Sequence, residues 1–191
     1  MSAVVSVRTL CRTAVMAALI CILTMVPRIP IPLGYAHLGD AAIFLVVLFV
    51  GRKEGAMAAS IGSAFADFLG GFPIWVVPTL LIKFGMAEIL WRIAGRQTKL
   101  FTQKTFSGMF LSAAWMVLGY TLAGALLYGG LAVGLTSTPG LALEGGVNLL
   151  AAYAAGIVLE RSGCFNFFQK EISAGGNSFR FISKFTASVF C

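Results

Sequence analysis

Charge is what this sequence has least of. Of its 191 residues, 11% are Asp, Glu, Lys or Arg, and only seven are acidic. Soluble domains carry roughly a quarter charged residues, so the composition argues against a water-soluble globule. The 59% apolar content excludes a disordered chain. Histidine is confined to His37, with no Cys or His at a ligand spacing beside it, so no metal centre is expected. The four cysteines, Cys11, Cys21, Cys164 and Cys191, form no CxxC and read as small apolar fillers or free thiols. No GxxxxGK[ST] run is present, which excludes ATP hydrolysis by a P-loop. No nucleophile–base constellation stands out, so neither an enzyme nor a cofactor is expected.

What the chain has instead is long apolar stretches and a mean hydropathy of +0.92. The expectation is an all-α integral membrane bundle of six transmembrane helices. The six spans run at about Leu10–Val26, Gly39–Gly51, Glu54–Leu69, Ile74–Ile93, Phe106–Val133 and Pro139–Leu159. The first has the basic start of a signal peptide, but Pro27-Arg28-Ile29-Pro30 is a poor cleavage site and five spans follow, so it is kept. The second is shorter than the roughly 20 residues needed to cross unaided and must lean on its neighbours or on the preceding loop. Residues 1–161 form the membrane domain. Residues 162–191 mix Phe with Lys and Arg and form a cytoplasmic tail of unassigned role, suited to lying on lipid.

A net charge of +7 in a soluble protein would raise the question of nucleic acid. Here it follows the positive-inside bias, and no nucleic-acid partner is expected. With both termini inside, twelve of the 14 basic residues are cytoplasmic. They are Arg8 and Arg12; Arg52 and Lys53; Arg92, Arg96, Lys99 and Lys104; and Arg161, Lys170, Arg180 and Lys184. Arg28 alone falls in an outer loop, and Lys83 falls inside a span.

Within lipid, helices associate through close backbone approach at small residues. Ala58-xxx-Gly62-xxx-Ala66 and Asn148-xxx-Ala152-xxx-Gly156 read as internal packing faces. Ala14-xxx-Ala18, with Ala17 beside it, is the better candidate for docking another protein.

Ionisable groups in hydrocarbon are costly and are functional candidates by default. Asp40, Asp67, Lys83 and Glu144 fall in the outer half or at mid-depth. Lys83 lies about 13 Å past Ile74 at 1.5 Å per residue. Trp75, Tyr128 and Asn148 add aromatic or polar capacity at the same level, and His37 stands in the loop just before Asp40. This set points to a cavity open to the outside. Lys83 is expected to contact the ligand; the alternative is a purely structural ion pair with Asp67 or Glu144, which can approach from the third and sixth helices. Glu88 lies deeper and is explained by an i,i+4 pair with Arg92. The loop Pro27–Asp40 has prolines at positions 27, 30 and 32, which favour an extended segment suited to cover the cavity.

Several of these motifs are familiar in combination. They are His37-Leu38-Gly39-Asp40-Ala41-Ala42-Ile43-Phe44-Leu45, then Ile61-Gly62-Ser63-Ala64-Phe65-Ala66-Asp67-Phe68-Leu69-Gly70-Gly71, Phe72-Pro73-Ile74, and Pro78-Thr79-Leu80-Leu81-Ile82-Lys83. In this order they resemble the substrate-binding S components of energy-coupling factor (ECF) vitamin transporters, closest to the riboflavin/hydroxymethylpyrimidine-like group. The resemblance covers about residues 8–95, and more loosely Gly119–Gly129 and Pro139–Gly146. It implies six helices in a prokaryotic plasma membrane, a vitamin site in the outer half and a lid from the first outer loop. It also implies that Ala14 and Ala18 dock a transmembrane T component, with two cytoplasmic ATPases completing the complex. Riboflavin, hydroxymethylpyrimidine, pyridoxine and pantothenate remain open as ligands. The chain departs from the group at Gly124, where members often carry an acidic residue.

The alternative is a self-sufficient small secondary transporter or channel. That calls for polar residues continuing through the inner half, or for inverted repeats, and the sequence has neither.

Overall fold

A computed structural model of the protein describes residues 7–26, 28–95 and 102–163. Six α-helices dominate: α1 (Val7–Met25), α2 (Gly39–Val50), α3 (Arg52–Leu69), α4 (Val76–Ala94), α5 (Gln103–Leu127) and α6 (Leu131–Arg161). A two-stranded antiparallel hairpin, β1 (Ile29–Ile31) and β2 (Gly34–Ala36), joins α1 to α2. A short 3-10 turn, Pro73–Trp75, leads into α4. The tail sequence beyond residue 163, with Cys164 and Cys191, lies outside the described residues, as do Arg96 and Lys99.

Helix α2 sits at the centre. It is apolar all round, as a helix with no solvent-facing side must be, and Leu45 is its one residue that is not buried. At 12 residues it spans about 18 Å, well short of a bilayer core. It is enclosed by α1, α3, α4 and α6. Four helical segments are long and apolar enough to cross a membrane: α1, Pro73–Ala94, α5 and α6. Helix α3 carries Arg52, Lys53, Glu54 and Asp67.

The small-residue faces do pack internally. Ala58, Gly62 and Ala66 are buried, and a Cβ at Gly62 would sit 2.4 Å from the Ala17 carbonyl oxygen on α1. Asn148, Ala152 and Gly156 are likewise buried on α6.

Two helix boundaries differ from expectation. Helix α5 ends at Leu127 instead of running to Val133, and α6 starts at Leu131 with Pro139 in its interior. The apolar run continues straight through the turn and hides it. The turn itself is made by Gly129 at φ +81°, a conformation that favours glycine. The Gly130 N–H then donates to the Ala125 carbonyl at 2.9 Å. Pro139 lacks an N–H, yet α6 continues through it.

The proline-rich loop is also corrected. It folds back into the hairpin, so the all-α class gains one small sheet. Ile29 pairs with Ala36, Pro30 with Tyr35 and Ile31 with Gly34. Alternation along the ladder gives Pro30 a position that donates no cross-strand bond. Leu33 completes the two-residue loop at φ +66°.

At the end of the bundle away from the hairpin, ion pairs tie the helices. Arg12 of α1 pairs with Glu54 of α3. Arg52 holds Glu88 of α4 at 2.8 Å, nearer than the i,i+4 partner Arg92 at 3.4 Å.

Candidate functional site

Because α2 is short and starts only at Gly39, the hairpin covers the space above its N-terminus. A pocket with about 490 Å³ of empty space opens there. The hairpin supplies Ile31, Pro32, Leu33, Gly34 and Tyr35 as its roof. Its walls come from His37, Asp67, Phe72, Trp75, Tyr120, Ser137, Leu141 and Glu144. These residues belong to the α1–α2 connection, the end of α3, the 3-10 turn, α5 and α6. Ile31 lies against Gly140, where a Cβ would meet it at 3.0 Å.

Four of the expected site residues line this pocket: His37, Asp67, Trp75 and Glu144. Three more lie buried beneath it: Asp40, Lys83 and Asn148. Tyr128 is not in the lining. It is half exposed, and its ring stands 6.2 Å from that of Trp75.

The partner of Lys83 differs from expectation. Its ammonium bonds to Asp40 on α2, with both side chains 1% exposed. Asp40 sits in the first turn of α2, where the helix dipole favours a carboxylate. Lys83 also lies 5.1 Å from the centre of the Tyr120 ring.

Asp67 is left to the roof. It accepts from the Tyr35 hydroxyl at 2.7 Å and from the Thr79 hydroxyl at 2.5 Å, and Thr79 in turn accepts from Tyr120 at 3.0 Å. Tyr35 is therefore a latch, tying the hairpin to the end of α3. Burial and the adjacent Asp67 carboxylate hold its phenol protonated well above the usual range. Arg28 stacks over the Tyr35 ring at 4.5 Å and reaches the Ala66 and Gly70 carbonyls at the α3 C-terminus.

Helix α6 grips the other end of the hairpin. Asn148 donates to the His37 carbonyl at 2.7 Å and accepts from the Ala41 N–H at 2.8 Å. Glu144 Oε1 accepts from the His37 N–H at 3.3 Å and lies 3.1 Å from His37 Nδ1. Nδ1 also accepts from the Gly39 N–H at 3.2 Å. Burial pushes the His37 imidazole down to about 4 against the pull of Asp40, with Lys83 adding to the shift, so it is neutral at pH 7. Among the described residues no group of three His, Cys, Asp or Glu is placed to hold a metal ion.

Tyr35, Phe72, Tyr120, Ser137 and Leu141 were not among the expected site residues. Tyr35 and Phe72 flank Gly-rich turns, and Tyr120 lies in an apolar helix. Nothing local distinguishes them from packing residues. The Tyr35 and Phe72 rings meet at 5.2 Å, tilted by 46°, and those of Trp75 and Tyr120 at 5.6 Å, tilted by 54°, so the pocket is walled by aromatic rings. Trp75 is 7% exposed, and among the described residues its Nε1–H has no acceptor. Gly124 lies under the hairpin tip. A Cβ there would stand 3.1 Å from Leu33 and 3.6 Å from Trp75, which leaves little room for an acidic side chain.

Away from the pocket, Ala14 and Ala18 lie on the exposed face of α1, whereas Ala17 is turned toward Gly62 of α3.

The chain is similar to known proteins. The family model for the ECF-type riboflavin transporter, S component, matches residues 4–161. A protein from Pyrococcus woesei described as an uncharacterized protein in gap 3' region is 34% identical over 146 residues, covering 72% of this chain and 97% of that protein. A solved structure, described as the S component of a bacterial ECF transporter, shares the fold with a TM-score of 0.63 at 18% identity. The match covers 84% of this chain and 96% of that one. With six helices, a hairpin-covered pocket and this family match along most of its length, the chain belongs to the ECF-type riboflavin transporter S component family, the substrate-binding subunits of ECF transporters.

Proposed function

We propose that this protein captures riboflavin from outside a prokaryotic plasma membrane and delivers it to an ATP-driven import complex. The observation that carries the proposal is the aromatic-walled pocket under the hairpin. Tyr35, Phe72, Trp75 and Tyr120 suit a flat fused-ring system, which stacks on such faces. Pantothenate has no ring to stack, and the single rings of pyridoxine and hydroxymethylpyrimidine use less of the wall.

In this proposal all six helices are embedded with both termini inside, following the basic residues. The short α2 and the hairpin together occupy one span's depth. Residues 1–161 form the binding domain. The exposed Ala14–Ala18 face admits close approach by a helix of a T component, which two ATPase subunits would drive.

The test is to purify the full chain in detergent, extract any bound small molecule and identify it by mass spectrometry, then titrate it back. A flavin bound at one per chain, with binding lost on Trp75→Ala, is expected. A different vitamin, or flavin binding indifferent to Trp75, would overturn the assignment. Co-purification with a T component and two ATPases tests the complex. Ala14→Trp with Ala18→Trp should abolish import and leave binding to the isolated subunit intact.

A further inference from the structure

Asp67 collects hydrogen bonds that start from two pocket tyrosines. The Tyr35 hydroxyl donates to its Oδ1 at 2.7 Å. The Tyr120 hydroxyl donates to Thr79 Oγ1 at 3.0 Å, and the Thr79 hydroxyl donates in turn to Asp67 Oδ2 at 2.5 Å. Each Asp67 oxygen thus faces a hydroxyl proton, as an ionised carboxylate does. Both tyrosine rings line the pocket, and Asp67 itself is 8% exposed. A roof latch needs the first of these chains and not the second. Trp75, by contrast, has no acceptor for its Nε1–H among the described residues, so it can lose an electron only by becoming a buried cation.

A phenol beside a carboxylate is an electron donor that can shed its proton in the same step. Burial and Asp67 keep the proton on Tyr35 while the ring is intact. Loss of an electron makes the phenol strongly acidic, and the proton then moves to the carboxylate. Arg28 over the Tyr35 ring and Lys83 beside the Tyr120 ring, at 4.5 and 5.1 Å, disfavour a charged radical and favour the neutral one. Riboflavin excited by blue light is a strong one-electron oxidant, and in free solution it takes hydrogen from its own ribityl chain and cleaves it. Resting on the riboflavin reading above, we infer that the Tyr35–Asp67 and Tyr120–Thr79–Asp67 chains protect the captured vitamin from light. One electron passes from Tyr35 or Tyr120 to the excited flavin, and one proton passes from that phenol to Asp67, directly or through Thr79. The electron then returns to the tyrosyl radical and the proton to its oxygen. Nothing is consumed, and the excitation leaves as heat before the ribityl chain reacts.

The test illuminates full-length, detergent-solubilised protein, in excess over riboflavin, with blue light and follows the intact vitamin by chromatography. Bound riboflavin should be lost at least about tenfold more slowly than free riboflavin absorbing the same light. Transient absorption should show a neutral tyrosyl radical whose formation slows in deuterium oxide, a readout that a merely rigid pocket would not give. Asp67→Asn, and separately Tyr35→Phe with Tyr120→Phe, should bring the loss back towards the free rate, with binding checked by titration. The wild-type measurements stand whether or not a variant folds. Bound riboflavin lost as fast as free riboflavin overturns the inference and leaves the riboflavin assignment standing. Slow loss without a tyrosyl radical, or undiminished protection in both variants, overturns the role of the tyrosines. Failure of riboflavin itself to bind overturns both readings.

Discussion

The two ends of this bundle carry their charged residues in opposite ways. At the hairpin end Asp40, Lys83, Asp67 and Glu144 are all at most 8% exposed and interlock with Tyr35, Thr79, Tyr120 and Asn148. At the other end Arg52–Glu88–Arg92 is a surface cluster, with Arg52 50% and Arg92 71% exposed at the side chain, and Arg12–Glu54 is part-buried. Exposed pairs contribute little and tolerate loss. Buried ionic groups bring a desolvation cost that apolar residues of the same size would avoid. Stability therefore does not explain the hairpin-end network. Its position under a latched roof, around a pocket whose indole N–H has no partner among the described residues, does.

The largest expected effect comes from breaking the buried pair. Lys83→Met leaves Asp40 without its counter-charge at 1% exposure and should destabilise the protein by about 3–5 kcal/mol. Adding Asp40→Asn should restore most of the thermal stability in detergent. Because neither residue lines the pocket, the double variant should keep riboflavin affinity within a few-fold. A double variant that folds and binds far more weakly would make Lys83 a ligand residue after all.

Loosening the latch comes next. Tyr35→Phe removes the hydrogen bond to Asp67 and keeps the ring against Phe72. Bonds to carboxylates are worth about 1.5–3 kcal/mol, so riboflavin should bind up to about 150-fold more weakly, mainly through faster release. Stopped-flow measurement of the off-rate separates this from a lost ring contact.

Protonation of His37 opposes closure of the same roof. Its pKa is about 4 when the hairpin is closed and near the ordinary value of 6.5 when open to water. The depressed value means that closure is fully favoured above about pH 6.5 and is lost as pH falls through about 4. By pH 5.5 the apparent affinity should fall about tenfold. The decline should flatten in His37→Asn, and an equal decline in that variant would place the titrating group elsewhere.

The smallest effect is that of one neutral donor. Trp75→Phe keeps an aromatic wall and deletes the Nε1–H, and should weaken riboflavin binding by about 2- to 13-fold. Unchanged affinity would mean that the indole N–H meets no ligand acceptor.

Much of this architecture can be read from the residues, because lipid permits few solutions. Six helices and the polar level at one end follow from apolar runs and rare ionisable groups. The start of the central helix at Gly39 was also visible. The hairpin was not. Ile29-Pro30-Ile31-Pro32-Leu33 has none of the Asn-Gly or Asp-Gly signals of a two-residue turn, and Leu33 takes a positive φ that tertiary packing must supply. Nor was the Asp40–Lys83 pair. Spacing along helices gives depth but not azimuth, and Asp67 and Glu144 seemed equally close to Lys83. The break between α5 and α6 is expected several residues too late, at 134–138 instead of 128–130, because the apolar run continues through the turn. Tyr120 became a site residue only through the neighbours that folding brings to it.

The contrast between the two ends reduces to one paired titration. Riboflavin is added to detergent-solubilised Trp75→Ala and, separately, to the double variant Arg52→Ala with Glu88→Ala, with each fold checked by thermal unfolding. If the ligand sits beneath the hairpin, the first variant should lose at least about tenfold in affinity, as expected for a wall residue with both ring and donor removed. The second should bind as the wild type does. Wild-type affinity in Trp75→Ala, or a loss confined to the Arg52 and Glu88 variant, would contradict the assignment.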